Sequence, residues 1–162
     1  MIKGLASVIG SGQIIGTTTN NNAAAAMIGE FATATVATAS AVSLTSTTAA
    51  NVTSVSLTAG DWDVSWVVDF KPGGTTSVTL LASSISLTTA THNTQAGGSG
   101  IGTEAFIVQN MAANILGADY AMNGPSVRCS FASTQTVFLV ASSTFSVSTM
   151  AAYGTIRARR VR

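Results

Sequence analysis

Between residues 61 and 70 the chain alternates strictly. Trp62, Val64, Trp66, Val68 and Phe70 fall on every second position, with Asp61, Asp63, Ser65 and Asp69 between them. A strand sends successive side chains to opposite faces, so this run predicts a β-strand with one apolar and one wet face. Ala59-Gly60 precedes it, and Lys71-Pro72-Gly73-Gly74 stops it with turn chemistry. Further β-branched or alternating runs follow from residue 28 onward, at 28–37, 41–45, 52–57, 77–82, 84–87, 105–110, 126–131, 136–141, 144–148 and 152–159. Short strands at this spacing predict an all-β antiparallel sandwich over residues 28–162. Val137, Leu139 and Ala141 alternate with Phe138, Val140 and Ser142, which predicts a strand covered on both faces. The expected core comprises Trp62, Val64, Trp66, Val68, Phe70, Val127, Phe131, Leu139, Phe145 and Val147.

Residues 1–27 read differently. Gly4, Gly10, Gly12 and Gly16 break any regular element, and Thr17-Thr18-Thr19-Asn20-Asn21-Asn22 is a polar low-complexity stretch. Ala23 to Ala26 give only about one helical turn, too few to nucleate a stable helix. The segment is expected to be an extended N-terminal arm that orders on a neighbour, with Ile14, Ile15 and Met27 as apolar anchors. Two stretches, 91–100 and 117–124, have the Gly, Asn and Asp content of loops.

Composition narrows the function. Charged residues are 8% of the chain, against about 25% in typical domains. Hydrophobic residues are 46%, so the chain is not disordered, and its polar surface is built from Ser, Thr and Asn. A surface so poor in charge suits a protein that buries much of itself in an assembly. No apolar run approaches the roughly 18 residues of a membrane span, and residues 1–10 faintly resemble a signal peptide but have one Lys, a weak apolar core and no clear cleavage site.

Candidate chemistry is sparse. Cys129 is the only cysteine, so no disulfide forms within the chain; it alternates with Val127 and Phe131 as a small buried hydrophobe. His92 is the only histidine, and with no acidic neighbour in sequence it reads as a solvated loop residue, not a catalytic base. Asp61 and Asp63, about 7 Å apart along a strand, read as charges that keep an outer sheet face soluble. The Gly12 to Gly16 stretch has no Lys-Ser/Thr after it and is no phosphate loop. No catalytic, cofactor-binding or metal-binding residue is therefore expected, and the chain does not read as an enzyme. Arg157, Arg159, Arg160 and Arg162 crowd the C-terminus. Their planar forks suit an acidic protein surface. Direct nucleic-acid binding is disfavoured by the net charge of +1 and by the lack of aromatics between the arginines.

The segment Ser56-Leu57-Thr58-Ala59-Gly60-Asp61-Trp62-Asp63-Val64-Ser65 also carries a resemblance. With Thr136-Val137-Phe138-Leu139-Val140-Ala141, Phe145-Ser146-Val147 and Ala152-Tyr153-Gly154-Thr155-Ile156-Arg157-Ala158-Arg159-Arg160, it resembles small structural proteins of tailed bacteriophages and prophages. The resemblance runs from about Thr17 to the C-terminus. It departs at Trp66, where a smaller residue such as Gly is expected. It implies a jelly-roll-like sandwich, commonly trimeric, found as capsid decoration (cement) protein, head fibre or terminal module of a tail fibre. The expected role is a cement protein made in the bacterial cytoplasm and carried on the capsid exterior. Its expected partners are the major capsid protein and two further copies of itself, with no membrane contact. The alternative is a fibre module contacting the host surface. The short arm favours cement, and the resemblance supplies no catalytic motif.

Overall fold

The computed structural model describes residues 18–93, 101, 103–115 and 118–162. They form β1 (Phe31–Val36), β2 (Val42–Leu44), β3 (Ala50–Leu57), β4 (Gly60–Pro72), β5 (Ser77–Ser86), β6 (Phe106–Ile115), β7 (Tyr120–Asn123), β8 (Val127–Phe131), β9 (Gln135–Ser146) and β10 (Met150–Arg160). One sheet has the order β1-β10-β4-β7, with β2 also on β10 and β8 also on β4; the other has the order β3-β9-β5-β6. All the pairings are antiparallel, and the two sheets pack face to face as an all-β sandwich.

Four of these strands are halves of two longer ones. β1 and β2 lie end to end along β10, interrupted by a 3-10 turn at Thr38–Ser40. β7 and β8 lie end to end along β4. Merging each pair gives eight strands in the orders 1-8-3-6 and 2-7-4-5. This is jelly-roll connectivity, a double-sheet arrangement of two Greek keys. Both edges of the larger sheet are thus broken, which leaves no long straight edge for a further strand to extend.

The alternation of β4 carries the core. Trp62, Val64, Trp66, Val68 and Phe70 are all buried, together with Val127, Cys129, Phe131, Val137 and Leu139. Each indole nitrogen finds an acceptor. Trp62 Nε1 donates to the Thr58 carbonyl at 2.9 Å, and Trp66 Nε1 crosses the sandwich to Ser83 Oγ at 3.2 Å. The bulk of Trp66 is accommodated on the neighbouring strand: a Cβ on Gly124 would overlap the indole ring. Gly124 sits at the break between β7 and β8, where its N–H donates to the Trp66 carbonyl at 2.8 Å. The small residue expected at position 66 is thus supplied across the strand pair.

Several expectations change. Val147 is not in the core: it is 81% exposed at φ +78°, beyond the end of β9. Phe145 is only partly buried against the core. The runs 77–82 and 84–87 are one strand, and so are most of 136–141 and 144–148. Ser83, Ser84, Ser142 and Ser143, at or beside the divisions between these runs, are buried strand residues. Ser143 Oγ, for example, donates to the Leu80 carbonyl at 3.0 Å. The stretch 117–124 contains β7. Asp61 is buried, not solvated, for reasons given below.

Candidate functional site

The two outer faces of the sandwich differ in chemistry. None of β3, β5, β6 and β9 contains a charged residue. The other sheet carries the charge. Alternation in β4, β8 and β10 buries the apolar positions and leaves Asp63, Arg128, Arg157 and Arg159 exposed.

The C-terminal arginines meet the start of the sandwich at one end of this sheet. Backbone bonds fix the meeting: Gly29 N–H donates to the Arg160 carbonyl and Arg160 N–H to the Glu30 carbonyl, both at 2.9 Å. Val161 N–H donates to the Asp61 carbonyl at 3.0 Å. Arg160, expected to face a partner, is instead internal. It is 4% exposed and lies over the Trp62 ring, its guanidinium carbon 4.3 Å from the ring centroid. Its Nε donates to Glu30 Oε2 at 2.9 Å, Nη1 to the Ala59 carbonyl at 2.8 Å, and Nη2 to Thr58 Oγ1. A buried guanidinium is tolerable only with this kind of full pairing. The Arg160 bond, followed by the Ala26 N–H, holds the Glu30 carboxyl below the usual carboxylate range.

Asp61 is the second charged group drawn inward. Arg128 Nη2 lies 3.1 Å from its Oδ2, and Arg162 Nε donates to the same oxygen. A hydrogen bond from Ser130, with those from Arg162 and Arg128, lowers its pKa to about 2 against the opposing effect of burial. Arg162 and Arg128 remain largely exposed around it, and Arg157 and Arg159 are exposed without an ion pair among the described residues.

Beside these cations lies an apolar patch. Met27 and Ile28 are each 60% exposed, Phe31 44% and Val161 37%. Phe31 pairs with Arg159, so ring and guanidinium belong to one row of the sheet. Residues 18–27 lead into this patch by turns. Asn22 caps the start of β1, its Oδ1 accepting from Phe31 N–H at 2.8 Å and its Nδ2 donating to the Phe31 carbonyl at 2.7 Å. The structure therefore gathers Met27, Arg159 and Arg162, with Arg157 one alternate position further along β10; Ile14 and Ile15 lie outside the described residues. Ile28, Phe31 and Val161 were missed as site residues. Phe31 had a readable signal: it shares the wet face of β1 with Thr33 and Thr35, where an aromatic has no core to fill.

His92 corrects another expectation. It is not a solvated loop residue but is pinned on the outer face of the uncharged sheet. Nδ1 lies 2.9 Å from Ser84 Oγ, Nε2 lies 2.8 Å from Ser142 Oγ, and the ring leans on Phe106 at 5.1 Å. Asn51 ties down the preceding turn, its Oδ1 accepting from Ala90 N–H at 2.7 Å. Burial pushes the His92 pKa down to about 4. A Ser–His pair is the kernel of nucleophilic catalysis, but Ser84 is fully buried and no carboxylate among the described residues orients the ring. The arrangement works as a clasp that holds the loop after β5 onto the sheet.

Cys129 is buried, which drives its thiol pKa up to about 12 and makes it inert near neutral pH. Among the described residues no three His, Cys, Asp or Glu side chains gather to hold a metal ion, and no helix is long and apolar enough to cross a membrane. Compared with family models, with curated proteins and with solved structures, the chain matches none.

Proposed function

We propose that the chain is a non-catalytic structural protein of a phage virion, a decoration protein that binds the outer capsid shell as a homotrimer and reinforces it. The observation that carries this reading is the end of the sandwich where Met27, Ile28, Phe31 and Val161 stand exposed beside Arg159 and Arg162. Exposed Met and aromatic side chains with Arg around them have the composition of an interface centre. The arrangement offers an apolar contact to supply affinity and cations to steer toward an acidic surface. The charge-poor remainder of the molecule agrees with a particle-bound life.

The test is to add purified protein to particles stripped of it and to measure saturation and particle stability. Wild-type protein is expected to bind saturably and to raise the temperature at which particles release their genome. Phe31→Ser combined with Met27→Ser should weaken binding by about tenfold or more, as loss of central interface residues does. Absence of saturable particle binding by the wild type would dismiss the cement role. A fibre module that touches the host is the second reading, and a polar groove elsewhere on the same sheet favours it.

A further inference from the structure

The outer face of the larger sheet holds a groove that reaches Arg157 but not the row of Phe31 and Arg159. One hollow, of about 280 Å³, is lined by Thr35, Thr38, Val67, Asp69, Tyr153 and Arg157 among others. A second, of about 100 Å³, shares Val67, Thr155 and Arg157 with it and continues past Asn123. Strand register explains the sequence of side chains along the floor. Thr35, Thr155, Val67 and Asn123 form one row across four strands, and Tyr153 and Asp69 form part of the next.

We propose that this groove binds a neutral saccharide chain, a function independent of attachment at the arginine-rich end. Asp69 is the leading reason. Its carboxylate is half-buried in the groove wall and has no hydrogen-bond partner among the described residues. Burial raises its pKa, and the nearby Asp119 raises it further. A carboxylate placed this way gains from hydroxyl donors that bring no charge of their own. The other walls complete the requirement of a polyhydroxyl ligand for donors and acceptors together. Arg157 donates, Asn123 does both, and the Thr35 and Thr155 hydroxyls, 3.0 Å apart, can rotate to either role. Tyr153 supplies an aromatic face held in place by its hydroxyl, which donates to Asp119 Oδ2 at 2.8 Å. Val67 adds an apolar floor for the C–H side of a sugar ring. Charge selects against other polymers. A polyanion would meet Asp69 and Asp119, and a polycation would meet Arg157.

The test uses the full ¹⁵N-labelled chain and follows backbone amide shifts. Maltotetraose, chitotetraose and a galactan tetramer are the neutral probes; tetragalacturonate and pentalysine are the charged ones. At least one neutral probe is expected to shift the amides of Thr35, Val67, Tyr153 and Thr155 with a dissociation constant on the order of 1 mM. Asp69→Asn and Tyr153→Ala should each weaken that probe about tenfold, the loss of one charge-assisted or stacking contact. Ser54→Ala, on the other sheet, should leave it unchanged. Two results overturn the proposal: no groove shifts with any neutral probe at concentrations on the order of 10 mM, or tighter binding of either charged probe. Because particle attachment is scored separately, either reading can fail while the other stands.

Discussion

Arg160 and His92 share a physical situation that sequence could not show, since each is a polar side chain whose partners lie far away in the chain. Arg160 reaches Glu30 and Thr58, and His92 reaches Ser142. Position within a run of arginines made Arg160 look like its neighbours, yet the inward phase of β10 separates it from Arg157 and Arg159. Arg160→Ser should strand Glu30 and uncover Trp62, lowering stability by roughly 3 kcal/mol, whereas Arg157→Ser should change it by under about 0.5 kcal/mol. Urea denaturation of the two variants checks this contrast. His92 predicts a pH dependence. Its folded pKa, about 4, lies below the ordinary 6.5. The unfolded chain therefore binds the proton more readily between these values. The stabilisation is complete above pH 6.5 and is lost as pH falls toward 4. The loss should be roughly 2 kcal/mol, allowing for the ring's residual exposure. His92→Gln should remove most of the difference in unfolding free energy between pH 7.5 and pH 4.5; an undiminished difference would assign it to other groups. Asp61 acts in a lower window. Its folded value of about 2 lies below 3.8, so its contribution persists above that range and disappears as pH falls through 2.

At the scale of the element, legibility followed the number of faces a strand buries. β4 has one apolar and one polar face, and alternation located it to within two residues at each end. β5 and β9 bury serines on both faces, so their apolar–polar alternation is interrupted and each reads as two shorter runs. β7 is four residues long, too short for periodicity, and it was read as loop. The core list failed at Val147 because β9 ends at Ser146 and the chain turns through positive φ, which breaks the phase that placed Val147 inside. Strand pairing also creates constraints invisible along one strand, and Gly124 against Trp66 is the clearest. Gly124→Ala should force the indole out of position and cost about 1–3 kcal/mol by overpacking. Trp66→Val should relieve the clash in the double variant while leaving a void of its own. A double-mutant cycle by chemical denaturation should therefore show a coupling of at least about 0.5 kcal/mol. Strict additivity would mean that the two residues do not compete for the same space.

For the whole molecule, the unequal distribution of charge is the feature that bears most on function. A jelly roll has two outer faces, and in this one the strands of one sheet carry no charged residue while those of the other carry Asp63, Arg128, Arg157 and Arg159 on their exposed side. Sequence showed the charge poverty and the terminal arginines; only the register of β10 against β1 and β4 shows that Arg159, Phe31 and Asp63 form one row. The proposed attachment at that end should then have two separable components. Exposed ion pairs contribute about 0–1 kcal/mol each and weaken with salt. Burial of Met27, Ile28 and Phe31 contributes about 25 cal/mol per Å² and is nearly insensitive to moderate salt. Replacing Arg157, Arg159 and Arg162 by Ser, with Arg160 retained, should keep the fold and weaken particle binding by about tenfold at low salt, near the middle of that range. At high salt the variant and the wild type should converge, because the remaining affinity is apolar. Phe31→Ser should do the reverse, weakening binding equally at both salt concentrations. Titrating stripped particles with the two variants and the wild type at low and high salt separates the components. Equal salt slopes for the triple variant and the wild type would remove the arginines from the contact and leave the apolar patch to account for it alone.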